Sequence, residues 1–368
     1  MMEDYIIMSE DHIVAKVIDG NVLIMDDSRV PLYLKHHNNF EGWLRQRAID
    51  DSRVNSRLLK KALRLQKTDD VSTSLHFNAS TITDTYWVKP ADSTLTYKNV
   101  KFKENTFDHL ALTGDVNAFN QKPSRTPELT NIGSFEKCWR LEDGAWWLYK
   151  VGSAEERFTE MFAYYLALEL NIPVAHYELA NGFIRSKDFT NGASVIYEPA
   201  ASIIGDRANY LEIYDAFLNV SPRLADAYVQ MVYFDALIFN MDRHNMNYGF
   251  LRDVASGDII GAAPLFDHNI ALISRGYPMN ITRENDLLIE DFITLLQKRE
   301  TGYDIPALTT TMVNQAILRV EIDLERPPKL PFSPCDFVRE FVMSGQRRII
   351  RELSQTYIKT EREQEMER

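Results

Sequence analysis

Asp242, Asn247 and Asp267 are of the residue types, and stand at the spacings, that transfer of a phosphoryl group requires. From Phe239 the chain reads Phe-Asn-Met-Asp-Arg-His-Asn-Met-Asn-Tyr-Gly-Phe-Leu, which sets Asp242 and Asn247 in the order D-x-x-x-x-N. Asp267 ends the next apolar run, Ile-Ile-Gly-Ala-Ala-Pro-Leu-Phe-Asp. Phosphoryl transfer leaves little covalent work to the protein, so catalysis is positioning and charge neutralisation. A carboxylate beside the acceptor hydroxyl can orient it and take its proton, the role expected of Asp242. Magnesium takes oxygen ligands, usually one or two side chains plus substrate phosphates; Asn247 and Asp267 would supply them. The expected reaction moves the γ-phosphoryl group of ATP with Mg2+. Alone, D-x-x-x-x-N is also a common polar turn with a capping Asp. A helix before it and a hairpin after it favour chemistry.

Lys150 is the second candidate. Trp146, Trp147, Leu148 and Tyr149 precede it, so it should end an apolar strand, where an ammonium needs a partner. A helix follows: Ser153 and Glu156 make a capping box, and Phe158, Met161, Phe162, Tyr165 and Leu166 form its apolar stripe. Glu160 lies among them and can reach toward Lys150, a pair that would hold nucleotide phosphates. Glu156 is the rival partner, better explained by its cap. Snorkelling of Lys150 to solvent is the alternative to any pair. Gly133, before the first of two strand-like segments, would let backbone amides approach phosphate, with Ser134 beside it; a plain loop is the alternative.

These residues need scaffolds. Residues 1–120 read as an accessory α/β unit. Asp19-Gly20-Asn21 is a hairpin signal between Ile13–Ile18 and Val22–Met25. Helices are expected near Phe40–Ile49 and Asn55–Leu65, the second with a basic face (Arg57, Lys60, Lys61, Arg64) read as solvated. Residues 121–200 read as a small β-rich lobe. Its strands are Phe135–Leu141 and Ala145–Val151 about the turn Glu142-Asp143-Gly144, then Val174–Leu179 and Ala193–Glu198. Pro199 to Asp206 reads as a hinge beside an adenine base. Residues 201–357 read as mostly helical. Ser221-Pro222 starts a helix whose face of Leu224, Tyr228, Met231, Val232, Leu237 and Ile238 delivers the chain to Asp242. Residues 358–368 are a charged tail, frayed or disordered. The fold class expected is α+β.

Composition narrows the rest. With 41 Lys and Arg against 53 Asp and Glu, the net charge is −12, which argues against non-specific binding to nucleic acid or anionic membrane. The amino terminus lacks the basic and apolar regions of a signal peptide, and no apolar run approaches the ~20 residues of a membrane span. The two cysteines, Cys138 and Cys335, form no metal-ligand pattern. A bacterial cytoplasm is the expected location.

The same residues carry a family resemblance. Asn240-Met241-Asp242-Arg243-His244, with Asn247 following, resembles the N-x-D-x-H-x-K-N motif of HipA-like serine/threonine kinases. Ala263-Pro264-Leu265-Phe266-Asp267 is similar to that family's A-P-x-Y-D metal motif, and Gly133-Ser134-Phe135-Glu136-Lys137 to its G-x-Q-x-K phosphate-loop segment. The resemblance covers residues 125–350; the first 120 look unlike the family's usual amino-terminal domain and closer to stand-alone relatives. It implies a two-lobed protein-kinase-like fold, ATP with Mg2+, and a protein Ser or Thr as acceptor. It implies Asp242 as base, Asn247 and Asp267 as metal ligands, Lys150 paired with Glu160 on the phosphates, and His244 as support for the loop. It also implies self-phosphorylation in the phosphate loop, where Thr130 and Ser134 are the local hydroxyls. The sequence departs from the family at Met246, where a Lys is usual, and at Phe135, where a Gln is usual.

Two rival readings stay open. D-R-H-x-x-N also occurs in phosphatidylinositol kinases, so the acceptor could be a lipid or small-molecule hydroxyl. A nucleotide-binding module without turnover, acting through residues 1–120 on a regulatory partner, is the other.

Overall fold

The computed structural model describes residues 4–49, 56–62, 65, 69–105, 108–113, 126–130, 136–206, 209–328 and 330–366. They form two compact units that alternate along the chain: Met1–Val151, Ala175–Gly205 and Gly249–Ala263 make the first, and Gly152–Val174, Asp206–Tyr248 and Pro264–Arg368 the second. The fold is mixed α+β, with every described strand in the first unit.

Three antiparallel sheets build the first unit. β1 (Tyr5–Ser9), β2 (His12–Ile18), β3 (Asn21–Ile24) and β4 (Tyr86–Pro90) form one, in the order β3-β2-β1-β4. β5 (Lys137–Glu142), β6 (Ala145–Lys150), β7 (Tyr177–Ala180) and β8 (Phe183–Lys187) form the second, in the order β5-β6-β8-β7. β9 (Val195–Pro199), β10 (Gly249–Asp253) and β11 (Ile259–Ala262) form the third, in the order β11-β10-β9. Three hairpins share one local cause. Asp19-Gly20, Asp143-Gly144 and Asn181-Gly182 each link paired strands with both residues at positive φ. That is the two-residue turn whose twist matches the strands it joins.

The helices of this unit are α1 (Leu32–His37), α2 (Phe40–Arg45), α3 (Ser56–Ala62), α4 (Asp70–His76), α5 (Tyr97–Val100), α6 (Asp108–Thr113) and, later in the chain, α8 (Ala201–Ile204). Ile7, Val17, Leu34, Trp43, Tyr86 and Val88 bury a core that includes Ile196 of β9. Cys138, Trp147 and Tyr149 bury a second with Leu59, Phe77 and Leu110. The basic face of α3 is solvated at Arg57 and Lys61 as expected, with Arg64 outside the described residues, and departs from expectation at Lys60. Lys60 is buried beside Leu59 and pairs with Asp70 at 3.5 Å. Around the expected hinge, Ala201–Ile204 closes one helical turn.

The second unit is helical: α7 (Ala154–Glu169), α9 (Tyr210–Val220), α10 (Pro222–Ile238), α11 (Leu287–Arg299), α12 (Thr310–Arg319) and α13 (Pro334–Met366). The charged tail continues α13 as helix to Met366. α10 is buried over most of its length, including all six residues expected on its apolar face. Pro222 stands at its first position, but the Ser221 side chain makes no capping hydrogen bond, so the proline's fixed φ starts this helix. α7 starts on the full capping box of Ser153 and Glu156. No helix among the described residues is long and apolar enough to cross a membrane.

Candidate active site

α10 ends because Phe239 turns left-handed at φ 56°, its N–H bonded to the carbonyl of Asp235. The loop that follows is set by hydrogen bonds at close range. His244 N–H donates to the carbonyl of Asp242 at 2.9 Å, and Asn247 N–H to that of His244 at 2.8 Å. Asn240 is buried; its amide donates to Asp235 at 2.7 Å and its oxygen accepts from Asp242 N–H at 3.3 Å.

Arg243 braces this loop. Its guanidinium grips the buried Asp235 carboxylate through Nε at 2.8 Å and Nη2 at 2.9 Å. Nη1 donates to the carbonyls of both Asn247 and Phe266 at 2.8 Å. One side chain thus gathers the end of α10, the loop holding Asp242 and Asn247, and the residue before Asp267. Leu265 adds a second anchor, its N–H bonded to the carbonyl of Pro173 at 2.9 Å where the chain leaves α7. Asp267 itself is left-handed at φ 62°, a conformation Asp tolerates better than most residues.

Charge follows from this geometry. Burial lifts the Asp242 carboxyl above its ordinary range; nearby His244 lowers it, the Asp267 carboxylate raises it further, and Arg243 and Arg275 lower it. Asp242 and Asp267 therefore lie close enough to repel, and a cation there would relieve both. Asn247 is buried, and its amide nitrogen leans on the carbonyl of Asp242 at 3.4 Å, leaving its oxygen for a cation. An amide oxygen and a carboxylate are hard donors that fit Mg2+ completed by phosphates. Among the described residues no group of three or more His, Cys, Asp and Glu could hold a metal by itself.

The remaining candidates are placed as follows. His244 is exposed and bonds within its own loop, accepting at Nδ1 from Met246 N–H at 3.3 Å. Glu160, on α7 of the second unit, is 1% exposed. Lys150 ends β6 in the first unit and is 6% exposed, which rules out snorkelling. Directly opposite it on β5 stands Lys137, also buried. Facing residues of an antiparallel pair share one face of the sheet, and like charges there are unfavourable. Gly133 and Ser134 lie outside the described residues, and Thr130 closes a 3-10 turn at Pro127–Thr130.

Sequence reasoning quoted Arg243 and Lys137 inside motifs without giving either a role, and passed over Asp235. Asp235 carried a usable signal: a carboxylate inside Val-Tyr-Phe-Asp-Ala-Leu-Ile must have a cation.

A scan of protein-family models and a search of curated proteins found no match to this chain. Solved structures do match, and their class is that of HipA and related kinases. The HipA of Shewanella oneidensis MR-1, solved in a toxin–antitoxin complex with HipB and operator DNA, is 11% identical, with a TM-score of 0.54 over 94% of this chain and 97% of its own. The Helicobacter pylori proinflammatory kinase CtkA is 18% identical, with a TM-score of 0.46 over 62% of this chain and 93% of its own. The fold likeness to HipA therefore reaches well into the first 120 residues, further than the motifs alone.

Proposed function

We propose that this chain is an ATP- and Mg2+-dependent phosphotransferase of two-lobed, protein-kinase-like organisation that phosphorylates a Ser or Thr of a protein. The observation that carries the reading is the Arg243 brace, which gathers Asp242, Asn247 and the run-up to Asp267 with two carboxylates close enough to repel.

In this mechanism Asp242 orients the acceptor hydroxyl and receives its proton as the oxygen forms a bond to the γ-phosphorus. The bond from that phosphorus to the β–γ bridging oxygen breaks, and ADP leaves. Asn247 and Asp267 would hold Mg2+, which neutralises charge on the phosphates when bound. Lys150, oriented by Glu160, would neutralise phosphate oxygens from the first unit, with Lys137 beside it. Two buried lysines side by side would suit a polyanion such as the nucleotide phosphates. Ser134 and Gly133 would line the phosphate loop, and Ser134 or Thr130 would take phosphate in self-modification. His244 would shape the loop from its own backbone. Residues 1–120 would be where a regulatory protein docks; nucleic acid and membrane are not expected partners, and a bacterial cytoplasm is the expected location.

The test is incubation with γ-labelled ATP and Mg2+, alone and with generic protein acceptors, beside Asp242→Asn and Asp267→Asn. Label on Ser or Thr that both variants lose is the expected result. ATP binding without label transfer to any protein would sink the reading.

A further inference from the structure

The segment from Asp267 to Arg283 is fixed to the second unit at both ends. At its start Arg243 holds the carbonyl of Phe266 at 2.8 Å, and Leu272 N–H donates to the carbonyl of Ile238 at 3.0 Å. At its end the buried Arg283 donates to the carbonyls of Ala236 at 2.7 Å and Leu237 at 3.1 Å and pairs with Asp286 at 2.5 Å. Between these anchors the chain doubles back. Ser274 N–H reaches the carbonyl of Ala271 at 3.0 Å and Gly276 N–H that of Ile273 at 2.9 Å, with Gly276 at φ 98°. Arg275 stands at the crest of these turns and meets Glu156 at 3.3 Å. Tyr277, two residues on, packs edge-on against Phe337 at 5.1 Å.

Glu156 is a shared residue. One oxygen, Oε2, accepts from Ser153 N–H at 2.9 Å, while Ser153 Oγ accepts from Glu156 N–H at 3.1 Å. The capping box thus fixes the carboxylate before Arg275 arrives, and the other oxygen, Oε1, faces the guanidinium. Exposed ion pairs are weak partly because two long side chains must be immobilised; here one is already held. Glu156 and Glu160 are four residues apart on α7 and share a helix face. Arg275 also acts on Asp242, whose ionised form it favours.

We propose that Arg275 is a positioning residue: its ion pair with Glu156 fastens the segment after Asp267 to the first turn of α7, so that Asp267 and Glu160 are held in place together or loosened together. The catalytic consequence rests on the phosphotransfer reading; the physical coupling does not.

The test compares Arg275→Gln, Arg275→Lys, Glu156→Gln and the double Arg275→Gln/Glu156→Gln in the full chain. Glu156→Gln keeps an acceptor for Ser153 N–H, so it removes the pair and spares the cap. Amide hydrogen exchange should quicken at least about threefold across residues 153–157 in Arg275→Gln and across residues 269–278 in Glu156→Gln. Phosphotransfer kcat should fall about fivefold in each single variant, with KM for ATP less affected. Arg275→Lys should recover most of the loss, and the double variant should be no worse than either single one. Unchanged exchange at the far partner, or losses that simply add, would overturn the proposal. If the wild-type chain transfers no phosphate, the exchange measurement alone decides the coupling and the phosphotransfer reading is what fails.

Discussion

Arg252 and Arg243 are both buried arginines paired with a buried carboxylate, and they serve opposite ends. Arg252, on β10, pairs with Glu198 on β9 and donates to Tyr86 Oη at 2.8 Å, to the carbonyls of Val30 at 3.0 Å and Ser28 at 2.6 Å, and to Gly257 O at 2.7 Å. Glu198 in turn accepts from Leu32 N–H at 2.8 Å and Tyr86 Oη at 3.1 Å. Everything in that cluster is scaffold of the first unit, and it welds the amino-terminal strands and loops to the β9–β10 pair. Arg243 has a similar pairing with Asp235, but its remaining donors go to the carbonyls of Asn247 and Phe266, the immediate neighbours of the candidate chemistry. The same side-chain chemistry secures a fold where its free donors meet framework carbonyls, and a site where they meet loops that carry functional groups.

The comparison can be broken in order of expected effect. Asp242→Asn should lower phosphotransfer by about 10²–10⁴-fold, the usual contribution of a general base, with the urea unfolding midpoint little changed. A stability loss in step with the activity loss would make Asp242 a structural residue. Arg252→Met should cost about 3–5 kcal/mol in urea unfolding, because Glu198 stays buried without its cation. The folded protein should keep its specific activity. Arg243→Met should destabilise by a similar route through Asp235, yet should also cut the activity of the folded fraction at least about tenfold. Equal specific activities in the two arginine variants would erase the distinction between them. Gly257→Ala should cost about 1–3 kcal/mol. Its Cβ would come within 1.9 Å of the Ser28 carbonyl, and φ there is +77°, so a neutral outcome by thermal melting would mean the Ser28 loop is not seated as described. The mildest effect is on pH. Because burial lifts Asp242, the acid limb of kcat/KM should rise at a pH above the ordinary carboxyl value of 3.8, activity being lost below it. A limb at or under that value would remove Asp242 as the titrating base.

Local chemistry made part of this legible. The Asp-Gly turns at 19–20 and 143–144, the Ser153–Glu156 box and the apolar face of α10 are short-range patterns, and each forms as expected. The turn at Asn181-Gly182 is an equally strong hairpin signal, and reading through it hid β8. α9 was lost between two features that drew more weight, and α4 because Val-Ser-Thr-Ser has weak helix propensity that Asp69, capping Ser72 N–H at 2.9 Å, offsets. The arginine clusters were illegible for a different reason. Arg252 meets Val30 and Ser28 across 222 and 224 residues of chain, and no periodicity carries that information.

The alternation of the two units has a consequence for synthesis. The chain passes from one unit to the other five times, at 151/152, 174/175, 205/206, 248/249 and 263/264. β9 has β10 as its ladder partner, and Ile196 of β9 already belongs to the amino-terminal core. A nascent chain that has not yet delivered Gly249–Asp253 therefore carries an open strand edge in its first unit, the kind of edge that recruits other chains. The chain must leave the ribosome as far as Asp253 before that edge closes, so the first unit cannot finish folding from its amino-terminal segments alone.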